Sequence, residues 1–202
     1  TVGLPPHITV ATGMDALSHN LEAYCSPFFH PMAEGIAVEG IRLVKEYLPT
    51  AVKDGSDLMA RSQMMISSTM GATAFQRGLG GMHALAHPLG ALYDAHHGLL
   101  NAILMPYILI RNKSVIEERI ARLAAYMGLA DASFDGFLAW VLDLRAELNI
   151  PNDLGALNID DEKADLVGKM AVEDPSSGGN PIALTAEEYT EVFLNAVKGD
   201  LG

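Results

Sequence analysis

The sequence is poor in cysteine and in basic residues. Its 202 residues include one cysteine, Cys25, which excludes an internal disulfide and favours a reducing compartment. Lysine and arginine together number 13 against 25 acidic residues, and the formal net charge is −12. A nucleic-acid partner is therefore not expected, because binding to phosphate needs clustered positive charge. We predict that Cys25 is a small buried hydrophobic residue.

Long apolar runs and targeting signals are also missing. No run approaches the roughly 20 apolar residues that cross a bilayer, and no basic segment followed by an apolar one opens the chain. These absences predict a cytoplasmic location and no membrane partner. Half of the residues are nonetheless hydrophobic, which is enough for one large or two small globular domains with a buried core.

Apolar residues recur at helical spacing along most of the chain, and the predicted fold class is all-α. Helices are expected over residues 13–26, 32–52, 57–75, 99–112, 115–127, 133–148, 160–173 and 185–198. Thr185 as N-cap, with Glu188 three residues later, predicts a capping box. The Met- and Ala-rich helix over 57–75 is expected to be buried on most sides.

The first twelve residues differ from the rest. Residues 7–11 form the one convincing strand pattern, and the chain starts at Thr1 rather than at methionine. We interpret residues 1–12 as a strand or loop leading in from a preceding N-terminal domain, and residues 13–202 as the helical domain. Neither G-x-G-x-x-G after a strand nor G-x-x-x-x-G-K-[ST] occurs, so no nucleotide-binding unit is predicted within the chain.

Histidine is concentrated in the stretch GGMHALAHPLGALYDAHHGLLNAI, residues 80–103. Among apolar and small residues, fifteen positions hold four of the seven histidines of the chain: His83, His87, His96 and His97. A buried polar group without a partner costs roughly 1–3 kcal/mol, so the concentration indicates a metal or catalytic site. His7 and His30 lie in proline-rich turns and are expected at the surface.

Two pairs at i,i+4 spacing suggest how a metal would be bound. Asp15 and His19 share one face of a predicted helix, and His83 and His87 repeat the spacing. Each neutral imidazole offers a lone pair, and a carboxylate cancels part of the charge of the cation. Two other interpretations stay open from the residues alone: a helical module that binds or stores metal without catalysis, and a structural bundle with histidines in its core.

Three segments resemble the C-terminal half of the iron-containing (group III) alcohol dehydrogenases: TGMDALSHNLEAYCSP, GLGGMHALAHPLGALYDAHHGLLNAILMPYIL and DPSSGGNPIALTAEE. They occur in the order of the family along most of the chain; the first two are specific motifs and the third is a softer signature. The resemblance implies a multi-helix, dehydroquinate-synthase-like, metal-binding domain. It also implies that the N-terminal dinucleotide-binding domain of the family is absent from this chain.

The resemblance further implies a role for particular residues. By position, the four metal ligands of the family fall on Asp15, His19, His83 and His97. His87 matches a family histidine that lies by the nicotinamide ring and is implicated in proton handling. The chain departs from the family at His96, where proline is frequent, and at Gln76-Arg77, where asparagine is frequent. Both departures bear on the substrate pocket, for which His96 is a candidate residue.

The activity implied is hydride transfer between a small alcohol or aldehyde and NAD or NADP, with the metal polarising the substrate oxygen. The full ligand set favours Fe²⁺, with Zn²⁺ as the alternative. Because the nucleotide domain of the family is needed for catalysis, the isolated chain is expected to be inactive. The sequence leaves open the particular substrate, the choice between NAD and NADP, and the oligomeric state, for which a homo-oligomer is one possibility.

Overall fold

Eight α-helices and three short 3-10 helices make up the fold, and the computed structural model describes all 202 residues. The α-helices are α1 (Pro6–Cys25), α2 (Pro31–Lys53), α3 (Leu58–Ala74), α4 (Gly81–Tyr93), α5 (His97–Tyr126), α6 (Phe134–Glu147), α7 (Ala164–Glu173) and α8 (Ala186–Lys198). The 3-10 helices cover Phe75–Arg77, Gly155–Leu157 and Pro175–Gly179. No strand is present, so the all-α prediction is confirmed.

The helices enclose one cluster of 47 buried hydrophobic residues. Helix α1 packs against α2, α3 and α5, and its Met14, Leu17 and Leu21 are completely buried. Helix α5 also contacts α4, α6 and α8, while α7 pairs with α8 and α4. Because α1 and α4 both pack against α5, side chains on the facing sides of these three helices are brought together.

Helix α1 begins at Pro6, so the strand or loop predicted over residues 7–11 is wrong. Proline suits the first turn of a helix, because the N–H that it lacks has no helical partner there. The pair Thr12-Gly13, whose residue types are typical of a helix cap and predict a helix that starts at residue 13, lies inside α1. A side chain at Gly13 would overlap with Leu48 of α2. The assignment of residues 1–12 to a different domain stays a prediction.

Helix α5 is one element of 30 residues where two helices, over 99–112 and 115–127, were predicted. Two polar side chains where the predicted helices met, Asn112 and Lys113, have tertiary partners. Asn112 exchanges two amide hydrogen bonds of 2.9 Å with Asn180, and Lys113 lies 2.7 Å from a carboxylate oxygen of Asp135. Polar side chains paired in this way do not compete with the helical backbone.

Helix α5 is also the one helix that is long and apolar enough, by length and composition, to cross a bilayer. Of its most apolar window of 18 residues, 67% is buried inside the fold. Burial of this kind is typical of the core helix of a packed domain, which agrees with the contacts of α5 to α1, α4 and α6.

Helix α3 is not buried on most sides, contrary to the expectation for the 57–75 segment. Leu58, Met59 and Met65 expose 67%, 62% and 54% of their surface. The helix instead packs on α1 and α2 through small residues, among them Ala60 and Gly71, which are buried. Small residues permit close approach of two helix backbones, so the methionines are left on the outer face.

Two local predictions are confirmed. The capping box of α8 forms, since Thr185 Oγ1 accepts a hydrogen bond of 3.3 Å from the Glu188 N–H, and a Glu188 carboxylate oxygen accepts one of 2.8 Å from the Thr185 N–H. Cys25 is buried at the end of α1. Burial raises the pKa of its thiol to about 12, so the side chain is neutral in the folded protein.

Candidate metal centre

The four predicted ligands lie where α1, α4 and α5 meet. Asp15 and His19 are one turn apart on α1, His83 lies in the first turn of α4, and His97 is the first residue of α5. One ligand atom from each forms a group in which all atoms lie within 4.8 Å of one another. The chain therefore brings together residues that are far apart in sequence.

The carboxylate of Asp15 lies among the three imidazoles. Its Oδ1 is 3.8 Å from Nε2 of His83 and 3.5 Å from Nε2 of His97, and its Oδ2 is 3.9 Å from Nε2 of His19. The rings of His19 and His83 are stacked with their centroids 4.8 Å apart. Three nitrogen donors and one oxygen donor thus face one another, a set that suits iron or zinc.

The spacing of the donor atoms fits a small divalent cation. Metal–ligand bonds of about 2.0–2.2 Å separate two ligand atoms of the same cation by at most about 4.4 Å. The observed separations, all within 4.8 Å, exceed that limit by at most a few tenths of an ångström. Small rotations of the side chains remove this difference, so the residues fit the group.

The amide of Asn101 lies among the candidate ligand atoms. Its Nδ2 is 3.0 Å from Oδ1 of Asp15. The same nitrogen is 3.2 Å from Nε2 of His83 and 3.1 Å from Nε2 of His97, while the amide oxygen is buried without a partner. An NH₂ group has two hydrogens, so it can donate to at most two of these three atoms at one time. A cation at the same place could bind all three.

Burial and charge act differently on the three imidazoles. Burial lowers the pKa of His19, although the charge of Asp15 opposes this effect, and the pKa of His97 is lowered for the same reasons. Burial also acts to lower the pKa of His83, but hydrogen bonding and charge from Glu22, with the charge of Asp15, outweigh it and raise the pKa. Two candidate ligands thus keep the neutral, metal-binding form to a lower pH.

Glu22 lies directly behind His83 and was missed by the sequence analysis. This side chain is 4% exposed, and its Oε2 is 2.7 Å from Nδ1 of His83. The signal was present in the sequence: Glu22 follows Asp15 by seven residues, two helical turns, and therefore shares its face of α1. Asn101 was missed in the same way, although it follows His97 by one turn of α5.

His87 lies beside the four candidate ligands without belonging to the group of atoms that could hold a metal. The side chain is 43% exposed, and its Nδ1 is 2.8 Å from Oδ2 of Asp174. Its ring stacks on His97 with the centroids 5.3 Å apart. Asp174, in the DPSSGG segment, was not predicted; its other oxygen accepts a hydrogen bond of 2.8 Å from the Ser176 N–H, which fixes the carboxylate.

The two departures from the family pattern lie outside this cluster. His96 is the N-cap residue of α5, and it lines an apolar cavity of about 360 Å³ together with His7. Arg77 is buried and donates hydrogen bonds to carbonyl oxygens at and just beyond the end of α1, those of Ala23, Tyr24 and Phe28. Arg77 therefore stabilises a helix terminus, whereas His96 remains a candidate pocket residue.

Three histidines and an aspartate at the junction of three helices define an all-helical domain with a candidate metal centre. Comparison with known proteins gives the family. The model of the Fe-containing alcohol dehydrogenase family, C-terminal, matches residues 9–197. The chain belongs to this family, and the resemblance seen in the sequence motifs is confirmed.

The relatives are dehydrogenases of about twice the length. The 4-hydroxybutyrate dehydrogenase of Cupriavidus necator is 38% identical over an alignment of 202 positions, and the alignment covers 96% of this chain and 52% of that protein. The NAD-dependent methanol dehydrogenase of Bacillus methanolicus is 32% identical over 200 residues, with coverage of 96% and 52%. A crystal structure of 1,3-propanediol oxidoreductase matches with a TM-score of 0.93 at 35% identity, covering 97% of this chain and 53% of that one. The chain spans about half the length of these relatives and corresponds to a domain of an alcohol dehydrogenase.

Proposed function

We propose that this chain is the metal-binding domain of an NAD(P)-dependent alcohol dehydrogenase. The cation is held by Asp15, His19, His83 and His97. The observation that carries the proposal is the convergence of these four donor atoms within 4.8 Å, at the junction of three helices. Membership of the Fe-containing family favours Fe²⁺, and the same donors suit Zn²⁺.

The residues of the chain would hold the cation, offset part of its charge and leave one side of it open to the substrate. When bound, the cation provides Lewis-acid chemistry that polarises the oxygen of an alcohol or aldehyde. Asp15 offsets part of the positive charge, and the imidazoles bind through neutral Nε2 atoms. His97 and His87, whose side chains are 39% and 43% exposed, mark the side from which a small-molecule substrate reaches the centre.

His87 is the residue to which we assign proton handling. Its Nδ1 is hydrogen-bonded to Asp174, so Nε2 is left to exchange a proton with the substrate hydroxyl or with water. The carboxylate of Asp174 stabilises the ring once it carries the extra proton. We expect the nicotinamide ring beside His87, as the resemblance implies. The name of the NAD-dependent methanol dehydrogenase supports a nicotinamide cofactor, and residues outside this chain would bind its nucleotide part.

The first test is metal content, measured by mass spectrometry on protein prepared without chelator. The wild-type chain is expected to hold iron or zinc at close to one atom per molecule. An Asp15→Ala/His83→Ala double variant should lose it, and His7→Ala, which changes an exposed histidine outside the cluster, should retain it. If none of the three proteins contains metal, and circular dichroism shows that all are folded, the proposed site is excluded.

Hydride transfer is tested in a longer protein that joins this chain to a nucleotide-binding domain. There His87→Ala should lower kcat by about 10²–10⁴-fold, the usual contribution of a general acid–base group, and should leave the metal content unchanged. The chain alone should give no NADH from NAD⁺ and 1,3-propanediol. A longer protein that holds metal but oxidises no small alcohol would point to metal binding or storage instead.

A further inference from the structure

Glu22 is a buried acid whose surroundings offer hydrogen-bond donors. One carboxylate oxygen accepts from the Met82 N–H at 2.6 Å. The other accepts from the Gly80 N–H at 2.7 Å and lies 2.7 Å from Nδ1 of His83. With 4% of the residue exposed, water does not replace these partners, and the contacts fix the carboxylate in one orientation.

The position of Glu22 also explains how α4 begins. The first N–H groups of a helix have no helical partner, and the N-cap residue Gly80 has no side chain to bind them. Glu22 reaches across from α1 and accepts two hydrogen bonds at this end, where the helix dipole favours negative charge. Both oxygens of Glu22 therefore act as acceptors at the start of α4.

An acceptor at Nδ1 decides the tautomer of His83. Since Oε2 of Glu22 faces Nδ1 as an acceptor, Nδ1 of His83 carries the hydrogen and Nε2 carries the lone pair. The other side of the ring agrees, because Nε2 faces the donating Nδ2 of Asn101 at 3.2 Å. The lone pair of His83 is thus directed into the cluster of candidate ligands.

We infer that Glu22 is a positioning residue, which acts through His83 by holding it in the tautomer whose Nε2 can bind a cation. The part of the inference that concerns metal affinity depends on the proposed function, whereas the tautomer can be measured in metal-free protein. A partner behind a metal-binding histidine typically changes metal affinity 10–100-fold.

Glu22→Gln is the sharpest variant, because glutamine has the same shape but only one acceptor oxygen. If its NH₂ group takes the place of Oε2, it opposes the Gly80 N–H, and the ring must accept at Nδ1 and place its hydrogen on Nε2. If the NH₂ group takes the place of Oε1 instead, it opposes the Met82 N–H, and the hydrogen of His83 stays on Nδ1. Some loss of stability is expected in either orientation.

Asn180→Ala is the matched control for that loss. The Asn180 Oδ1 accepts from the Gly81 N–H at 3.1 Å, so this residue also caps α4, and it is buried. It has no hydrogen bond to His83. Its removal should lower the melting temperature without changing the tautomer of His83 or the affinity for metal.

The experiment combines ¹⁵N NMR of labelled histidines with Co²⁺ titration. In metal-free wild-type protein at pH 9, His83 should be hydrogenated at Nδ1, with its signal assigned from a His83→Gln variant. Glu22→Gln should raise the Nε2-hydrogenated population and weaken Co²⁺ binding about 10–100-fold, and Asn180→Ala should do neither.

The outcomes separate this inference from the proposed function. Hydrogen on Nε2 of His83 in the wild-type protein would overturn the role of Glu22, and this result does not depend on whether Glu22→Gln folds. Unchanged Co²⁺ affinity in a folded Glu22→Gln protein whose His83 has moved its hydrogen to Nε2 would overturn it as well. A wild-type chain that keeps hydrogen on Nδ1 but binds no Co²⁺ would support the role of Glu22 and contradict the proposed metal centre.

Discussion

The three imidazoles of the cluster determine the pH range in which a cation can bind. Protons and metal compete for the same lone pairs, so binding is present above the histidine pKa values and is lost as the pH falls. The pKa values of His19 and His97 are lowered and that of His83 is raised. His83 is therefore the first of the three to take up a proton as the pH decreases.

We expect Zn²⁺ to raise the melting temperature fully at pH 8. Because the pKa of His83 is raised, the gain should begin to shrink above about pH 6.5, the ordinary histidine pKa, and little should be left at pH 5. Differential scanning fluorimetry with and without metal measures this. The Asp15→Ala/His83→Ala protein, which lacks two ligands, should show little gain at either pH. An equal gain at both values in the wild-type chain would contradict a site built on three histidines.

Cys25 provides a test of burial at a single residue. Its thiol is buried and its pKa is raised to about 12, and only the thiolate reacts readily. Labelling by a disulfide reagent at pH 8 should be at least about a hundredfold slower in the native chain than in concentrated guanidinium chloride. Native labelling as fast as in the denatured chain would mean that the end of α1 is open to solvent.

At the scale of the helices, the close crossing of α1 and α5 places His97 near Asp15. A methyl group at Gly98 would overlap with the carbonyl oxygen of Ala11 and lie 3.1 Å from Cβ of Asp15. Glycine thus lets α5 approach α1 closely enough for His97 to reach Asp15. We predict that Gly98→Ala destabilises the fold by about 1–3 kcal/mol, the usual cost of overpacking, and weakens metal binding. Urea denaturation and Co²⁺ titration give the two quantities.

Gly35 is the matched control for this substitution. It lies exposed in α2, and nothing is within 4 Å of the position that its Cβ would take. Alanine there should stabilise the protein by about 0.5–1 kcal/mol, because alanine is the better helix former, and should leave metal binding unchanged. If both glycine variants weakened the metal equally, close packing at Gly98 would not be the cause.

The capping box of α8 is a second determinant at this scale. Thr185→Ala removes the side chain that accepts from the Glu188 N–H, which should cost about 1 kcal/mol in the free energy of unfolding. Thr69→Ala, on the exposed middle of α3, removes a hydroxyl that bonds only to the Met65 carbonyl and should cost nothing. Urea denaturation of the two variants distinguishes capping from a general effect of losing threonine.

Helix type and most helix positions could be predicted, because periodicity and capping are local properties. The capping box at Thr185 is an example. Helix ends were mispredicted at two small or polar residues whose partners lie elsewhere in the fold. Gly13, within α1, packs on Leu48 of α2, and Asn112, within α5, pairs with the distant Asn180. The exposure of α3 was also missed, because methionine content does not say which face of a helix is covered.

The candidate ligands could be named from the sequence by i,i+4 spacing and family motifs, but their distances could not. Spacing relates Asp15 to His19, while the approach of His83 depends on how α4 is docked against α1. The residues that support the ligands were missed for the same reason. Glu22 and Asp174 each contact a histidine from another part of the chain, and no local pattern records such a contact.

For the whole molecule, metal binding should appear as added stability. A cation present at a hundred times its Kd stabilises the folded chain by about 2.7 kcal/mol, which for a domain of this size raises the melting temperature by about 5–10 °C. Calorimetry with metal, and again after excess chelator, measures the gain and its reversal. If neither metal nor chelator changes the melting temperature, the chain is a structural bundle whose histidines only pack in its core.

The origin of the four donors in α1, α4 and α5 has a kinetic consequence. A cation held by all three helices is a removable cross-link between segments that are distant in sequence, so these helices cannot separate until at least one coordinate bond has broken. Interactions that are absent from the transition state slow unfolding while leaving folding almost unchanged. If coordination is completed only after the helices have docked, metal would lengthen the lifetime of the native chain, measured by its resistance to protease, without shortening the time that it takes to form.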